Sequence, residues 1–305
     1  MPASNRREFL RAGAAGLTAL TLAPLAAEAA AKPEPKPGAG TGTAAGALKI
    51  VPLGATGIRV SQIAFGTGTV GYNKSSNQTR RGMANFVALA RHAYARGVRY
   101  FDMADSYGSQ PFVAQAVRGL PRAEIVLGTK IWTEPDARGQ FRQIPRTIER
   151  IRRELESDYV DILLMHCMMR GGWSRDRKGS MDAFSEAKAA GKVRAVGVSC
   201  HNWDALVEAV ETPWVDVIMA RVNPFGTHLD NKPETVAALL RKASAAGKGI
   251  VGMKIFGEGR NITEAERERS IAFALREARV PCMTLGMEKA EYVDDAVERV
   301  IRLSA

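Results

Sequence analysis

Cysteine is scarce: Cys167, Cys200 and Cys282 are the only three in 305 residues. None stands at CxxC spacing or beside a His/Cys group with zinc spacing, so no metal site is expected. Beyond the N-terminal segment, no apolar run approaches the roughly 20 residues that a bilayer crossing needs, so no stable membrane span is expected there. Acidic residues are also in deficit, 32 Asp and Glu against 43 Lys and Arg, for a net charge of +11. Such a balance favours anionic partners, phosphorylated cofactors included. Nucleic acid is not expected. The basic residues lie along amphipathic patterns such as Arg142 to Arg153, interleaved with Glu149 and Glu154, as on solvated helix faces. What the chain does have is 46% hydrophobic residues, enough to bury one large core.

The N-terminus reads as an address. Residues 4–11 are SNRREFLR, an Ala/Gly-rich apolar stretch runs from Ala12 to Leu25, and small-x-small sites follow at Ala27–Ala29 and Ala29–Ala31. That order is a secretory signal, and the paired Arg6 and Arg7 before Phe9 and Leu10 resemble the twin-arginine type. The expected division is a signal over 1–31, a flexible Pro/Gly linker over 32–47 and one domain over 48–305. The expected partner is the twin-arginine export machinery, and the expected location is periplasmic or otherwise exported. Arg6, Arg7, Arg11, Lys32 and Lys36 face Glu8, Glu28 and Glu34 in residues 1–47, which leaves about +9 on the domain.

From Leu48 one unit repeats: a short Val/Ile/Leu-rich run, a loop, then an amphipathic helix. The expected strands are 62–65, 99–102, 125–129, 160–165, 195–199, 215–220, 249–253 and 282–285. In the third helix, Phe141, Ile144, Ile148, Ile151 and Leu155 recur at steps of three and four. Strands alternating with helices imply parallel pairing and right-handed crossovers. Eight such units in this length match a (β/α)8 TIM barrel, an α/β fold whose chemistry sits at the C-terminal strand ends. An open doubly wound sheet is the rival. Its glycine fingerprint is not matched, because GTGTVG at 66–71 has no acidic residue about 20 positions on.

Four strand ends carry chemistry: FDMADSYG at 101–108, GTKIW at 128–132, DYVDILLMH at 158–166 and VGVSCHN at 196–202. In order and spacing they resemble the motifs of aldo-keto reductases. The resemblance implies catalytic roles for Asp102, Tyr107, Lys130 and His166, and interconversion of a small carbonyl substrate and an alcohol. Reducing a carbonyl needs a hydride and a proton on the developing alkoxide. Tyrosine is the implied donor, although its unperturbed pKa is about 10. An ammonium at Lys130 is expected to lower that value, with Asp102 holding the lysine and His166 orienting the carbonyl.

The resemblance runs from about Leu48 to Leu303. It implies an N-terminal β-hairpin closing the barrel bottom, and NADP or NAD as cofactor, NADP being favoured. The implied cofactor contacts are Gly66, Thr67, Ser199, Cys200, Met219, Lys254, Gly257, Gly259 and Asp295. The match is poorer here. Cys200 stands where the family has asparagine, Met219 where it has glutamine, Tyr292 where it has a basic residue and Ala296 where it has asparagine. Lys289 offers a replacement charge. Two rivals therefore stay open: a nucleotide-binding sensor with little turnover, and a cofactor-free isomerase. Cys167 and Cys200 follow adjacent strand ends and read as two buried thiols, with a disulfide as the alternative.

Overall fold

The computed structural model describes residues 46–134 and 143–305. The expected signal at 1–31, nearly all of the linker and Phe141 lie outside the described residues. Strands β1 (Ile50–Pro52) and β2 (Arg59–Ser61) form an antiparallel hairpin with Val51 opposite Val60. Eight parallel strands follow: β3 (Ile63–Gly66), β4 (Tyr100–Asp102), β5 (Val126–Trp132), β6 (Val160–Met168), β7 (Val193–Cys200), β8 (Val217–Arg221), β9 (Gly249–Met253) and β10 (Cys282–Gly286). They close in sequence order, β10 pairing with β3, into a barrel. The (β/α)8 fold and its hairpin are as expected. Each barrel strand is followed by a helix, from Met83–Ala95 after β3 to Ala290–Ser304 after β10.

Alternation along the strands builds two cores. Ala64, Tyr100, Val126, Ile162, Leu164, Val217, Met219 and Val251 fill the barrel interior. Leu53, Ile58 and Val60 of the hairpin join that group and plug its lower end. The hairpin turn must come close to the barrel: a Cβ on Gly54, whose φ is +56°, would stand 2.4 Å from Gly247 O. The opposite faces of the strands pack on the helices. Ile144, Ile148, Ile151 and Leu155, four of the five residues expected on one helix face, are all buried in this outer layer.

One strand departs from alternation. On β6, Leu163 and Met165 face the helices while Ile162 and Leu164 face the interior. Met165 pairs with Val198, yet Met168 pairs with Cys200, so β6 advances three residues while β7 advances two. That is a β-bulge. The extra residue is Cys167, with a φ of +68°, a conformation that costs a non-glycine residue roughly 1–2 kcal/mol. Its amide donates to Ser199 Oγ at 2.8 Å, which holds the bulge. Because Met168 faces outward again, His166 and Cys167 both lie on the mouth side.

Candidate active site

Register brings three of the four expected catalytic residues together, and the turn after β4 adds Tyr107. Asp102 ends β4 and pairs with Gly128, so Lys130, two residues on, shares its face of the barrel. Trp132 pairs with His166 across β5 and β6. The Lys130 ammonium donates to Asp102 Oδ1 at 2.6 Å and to Met103 O at 2.7 Å. Both side chains are buried, at 3% and 7% exposure, so the pair is shielded from solvent. The second Asp102 oxygen accepts from Thr284 Oγ1 at 3.0 Å. Thr284 was not anticipated. Its sequence signal is indirect, for Gly66 makes the room: a Cβ there would lie 2.9 Å from Thr284 Oγ1.

Tyr107 stands in the helical turn Asp105–Tyr107 after β4. Its ring meets His166 edge-on, centroids 5.7 Å apart at 84°, and Trp132 meets His166 likewise at 5.6 Å and 78°. Lys130 Nζ lies 5.4 Å from the Tyr107 ring centre. Three further residues position the phenol. Cβ atoms on Gly68 and Gly71 would fall 2.2 and 2.4 Å from opposite edges of its ring, so two glycines form its slot. Buried Asp105, at the start of the same turn, is paired with Lys74 and, at 2.6 Å, with Arg150. These supports were not read from the sequence, since they depend on segments distant in the chain.

The electrostatics correct one expectation. Burial first, then Asp102 and Cys167, push the Tyr107 phenol upward rather than down. The lysine charge is directed at Asp102 and the Met103 carbonyl, and does not offset the desolvation of the tyrosinate. Tyr107 therefore holds its proton at neutral pH. His166 is held well below the usual imidazole range, by burial first and then by Lys130 and His201, so its ring is neutral.

The model of the Aldo/keto reductase family matches residues 62–300.

This chain belongs to the aldo/keto reductase family.

Among relatives, an NADH-specific methylglyoxal reductase of Escherichia coli K12 is 26% identical over 204 residues, 61% of this chain and 62% of that protein. L-galactose dehydrogenase of Arabidopsis thaliana is 25% identical over 215 residues, 67% of this chain and 64% of that one. The chain thus matches under two thirds of the length of each. The holo form of an aldo-keto reductase from Bacillus halodurans superposes with a TM-score of 0.65 at 18% identity, covering 83% of this chain and 91% of that one. At that identity it speaks for the fold alone.

The nicotinamide dinucleotide that the family implies fits some of the expected residues and not others. Ser199 is buried at the mouth with its oxygen on the Cys167 amide. Cys200 faces away from the mouth: its thiol packs in the outer layer against Ala205 O, because β7 alternates without a bulge. Met219 belongs to the apolar barrel interior. Thr67 Oγ1 is occupied by Asp102 O at 2.9 Å and Ser109 Oγ at 2.7 Å. Asp295 accepts from Arg299 and Arg267, at 2.9 and 3.1 Å. What does fit is the turn after β9. Gly257 and Gly259 adopt φ of +56° and +86°, the space beside Gly259 is open, and Lys254 supplies a cation paired with Glu258. Around the apolar Cys200 and Met219, the buried atoms His201 Nδ1, Arg221 Nε and Asp230 Oδ2 have no protein partner, while Arg221 and Asp230 pair with each other through other atoms at 3.2 Å. The residues present therefore fit a dinucleotide, through a different polar set from the one expected. Among the described residues no grouping suits a metal ion, and no helix is long and apolar enough to cross a membrane.

Proposed function

We propose that this aldo/keto reductase family member interconverts an aldehyde or ketone and the corresponding alcohol with NAD(P)(H). The observation that carries the proposal is the buried Asp102–Lys130 pair with Tyr107 and His166 beside it at the C-terminal mouth. A bound nicotinamide supplies the hydride in reduction or takes it up in oxidation. Tyr107 gives its hydroxyl proton to the carbonyl oxygen and recovers it in the reverse direction. A phenol that stays protonated suits this role, because the nascent alkoxide is far more basic than a tyrosinate. Lys130 places positive charge beside the tyrosinate that forms, and Asp102, fixed by Thr284, holds that lysine in place. Neutral His166 orients the carbonyl by hydrogen bonding. Ser199, Lys254 and the Gly257–Gly259 turn would hold the dinucleotide, together with His201, Arg221 and Asp230.

NADP is the favoured dinucleotide in this reading. Lys289 lies 5.7 Å over the Tyr292 ring at the start of the last helix, a cation beside the position where the family has a basic residue. Export by the twin-arginine route is part of the proposal and rests on residues 4–31 alone. The decisive experiment is carbonyl-dependent oxidation of added NADPH. Turnover should fall by about 10²–10⁴-fold in Tyr107→Phe; unchanged turnover removes the tyrosine as donor. A second reading, a nucleotide sensor, is favoured by the placement of Cys200 and Met219. It predicts nucleotide quenching of tryptophan fluorescence with no carbonyl-dependent turnover. Carbonyl chemistry without any nucleotide would point instead to an isomerase.

A further inference from the structure

The helices Ile144–Glu154, after β5, and Lys178–Ala189, after β6, are neighbours in the outer layer. Their first turns border a cavity of about 740 Å³, a volume within the range of small-molecule sites. None of the catalytic or dinucleotide residues lines it. Four cations do, Arg146, Arg175, Arg177 and Lys178, against one carboxylate, Asp176.

Both helices begin without the usual compensation for their free amides. Gln143 and Arg177 stand at the cap positions and neither caps with its side chain, and neither first turn holds an acidic residue. Among the described residues, the amides of Arg146 and Lys178 donate to no protein group. Thr147 and Ser180 are the first whose N–H is taken up, by Gln143 O at 3.0 Å and Arg177 O at 2.9 Å. Helix ends in this state carry partial positive charge and attract anions.

A second observation is independent of the helix ends. Arg177 is only 6% exposed, yet its Nε has no protein partner. Its Nη2 is taken by Glu134, and its Nη1 donates to Asp176 O at 3.5 Å. A buried donor is ordinarily paired, so the free one points to a missing acceptor. The nearby carboxylates are already engaged. Asp176 is shared between Arg170 and Arg175, at 2.7 and 3.1 Å, and Asp182 pairs with Lys178 at 2.6 Å. Arg146 has no acidic partner among the described residues. Apolar surface is present too, from Ile144, Pro145 and Ala183.

We propose that this cavity binds a small phosphate monoester, at a site separate from the dinucleotide and from Tyr107. The phosphate is held by Arg146, Arg175, Arg177 and the helix ends, and the organic body covers Ile144, Pro145 and Ala183. A phosphate monoester brings about two negative charges and three acceptor oxygens. A carboxylate brings one charge and two oxygens, too few for three guanidinium groups and two helix ends. The inference stands apart from the oxidoreductase reading and needs no turnover to test.

The test is calorimetry on the full chain at neutral pH and low ionic strength, with phenyl phosphate, inorganic phosphate and benzoate as probes. Phenyl phosphate should bind at one site, more tightly than inorganic phosphate and about tenfold more tightly than benzoate. Arg146→Glu and Arg175→Glu, both at exposed positions, should each weaken it about tenfold or more. Arg153→Glu, at the far end of the first helix, and Lys254→Met, in the dinucleotide set, should leave it unchanged. Absence of phenyl phosphate binding overturns the proposal. So does benzoate or inorganic phosphate that binds as tightly, since the site would then not select the ester. Equal weakening in Arg153→Glu would mean general charge attraction, and loss in Lys254→Met alone would place the anion on the dinucleotide residues; either result overturns it.

Discussion

Gly68 lies so close to Tyr107 that a Cβ atom on the glycine would stand 2.2 Å from Cε2 of the ring. Gly71 closes the other edge, and Gly71 N donates to Gly68 O at 3.0 Å, which fixes the turn. The phenol cannot keep its position if either glycine acquires a side chain. Gly68→Ala should therefore lower kcat/KM by about 10²-fold or more, since misplacing a reacting group by about 1 Å has an effect of that order. Gly179→Ala, at a site with open space and without a positive φ, reports any general effect on folding. Steady-state kinetics beside thermal melts separate the two; wild-type kinetics in Gly68→Ala would show that the slot does not hold the ring.

Lys130 and Asp102 form a buried pair whose halves depend on each other. Lys130→Met leaves a buried carboxylate with Thr284 as its remaining partner, and should cost about 3–5 kcal/mol of stability as well as activity. Adding Asp102→Asn to Lys130→Met should restore a large part of the stability and none of the turnover. Urea unfolding of the two single variants and the double variant gives the coupling. Additive losses would mean that the two side chains do not act as a unit.

Acid should weaken the fold through its neutral histidines. Burial first, then Arg221 and Lys254, push His201 down to about 3. Above about pH 6.5, the unfolded value, neither state binds the proton and the group has no effect on stability. Between 6.5 and about 3 the unfolded chain takes up a proton that the folded chain refuses, so stability falls as the pH falls. His166 adds to the same trend. Denaturation midpoints measured from pH 7.5 to 4 should decline, and His201→Gln should reduce the slope. A slope identical in that variant would assign the decline to other groups.

Thiol reactivity should follow the bulge. Cys167 is half-buried on the mouth side, whereas Cys200 and Cys282 are fully buried, and all three are free. Under native, non-reducing conditions iodoacetamide should label Cys167 alone, and slowly, because burial raises its pKa. After denaturation without reductant three thiols should react. A count of one would revive a disulfide.

Lys289 supplies the test of dinucleotide preference. Lys289→Glu should reduce discrimination for NADP over NAD roughly tenfold, while Lys289→Arg keeps it. Binding measured by tryptophan quenching reads this without turnover. Equal shifts for both dinucleotides would remove Lys289 from the phosphate-recognising set.

The amino-acid sequence by itself determined the barrel. Short apolar runs alternating with 3.6-period faces such as Ile144, Ile148, Ile151 and Leu155 leave parallel strands and outer helices as the arrangement that buries both. It also determined that Asp102, Lys130 and His166 share one mouth, because all parallel strands end on the same side and inward positions repeat every second residue. Tertiary structure decided the rest. One extra residue in β6 turned Cys167 toward the mouth, while uninterrupted alternation in β7 turned Cys200 away. Local sequence does not encode that contrast, since a bulge is set by pairing between strands. The direction of the Tyr107 shift and the slot that holds its ring were likewise invisible, because desolvation and shape are properties of neighbours such as Gly68, Gly71 and Asp102 that only folding brings within reach.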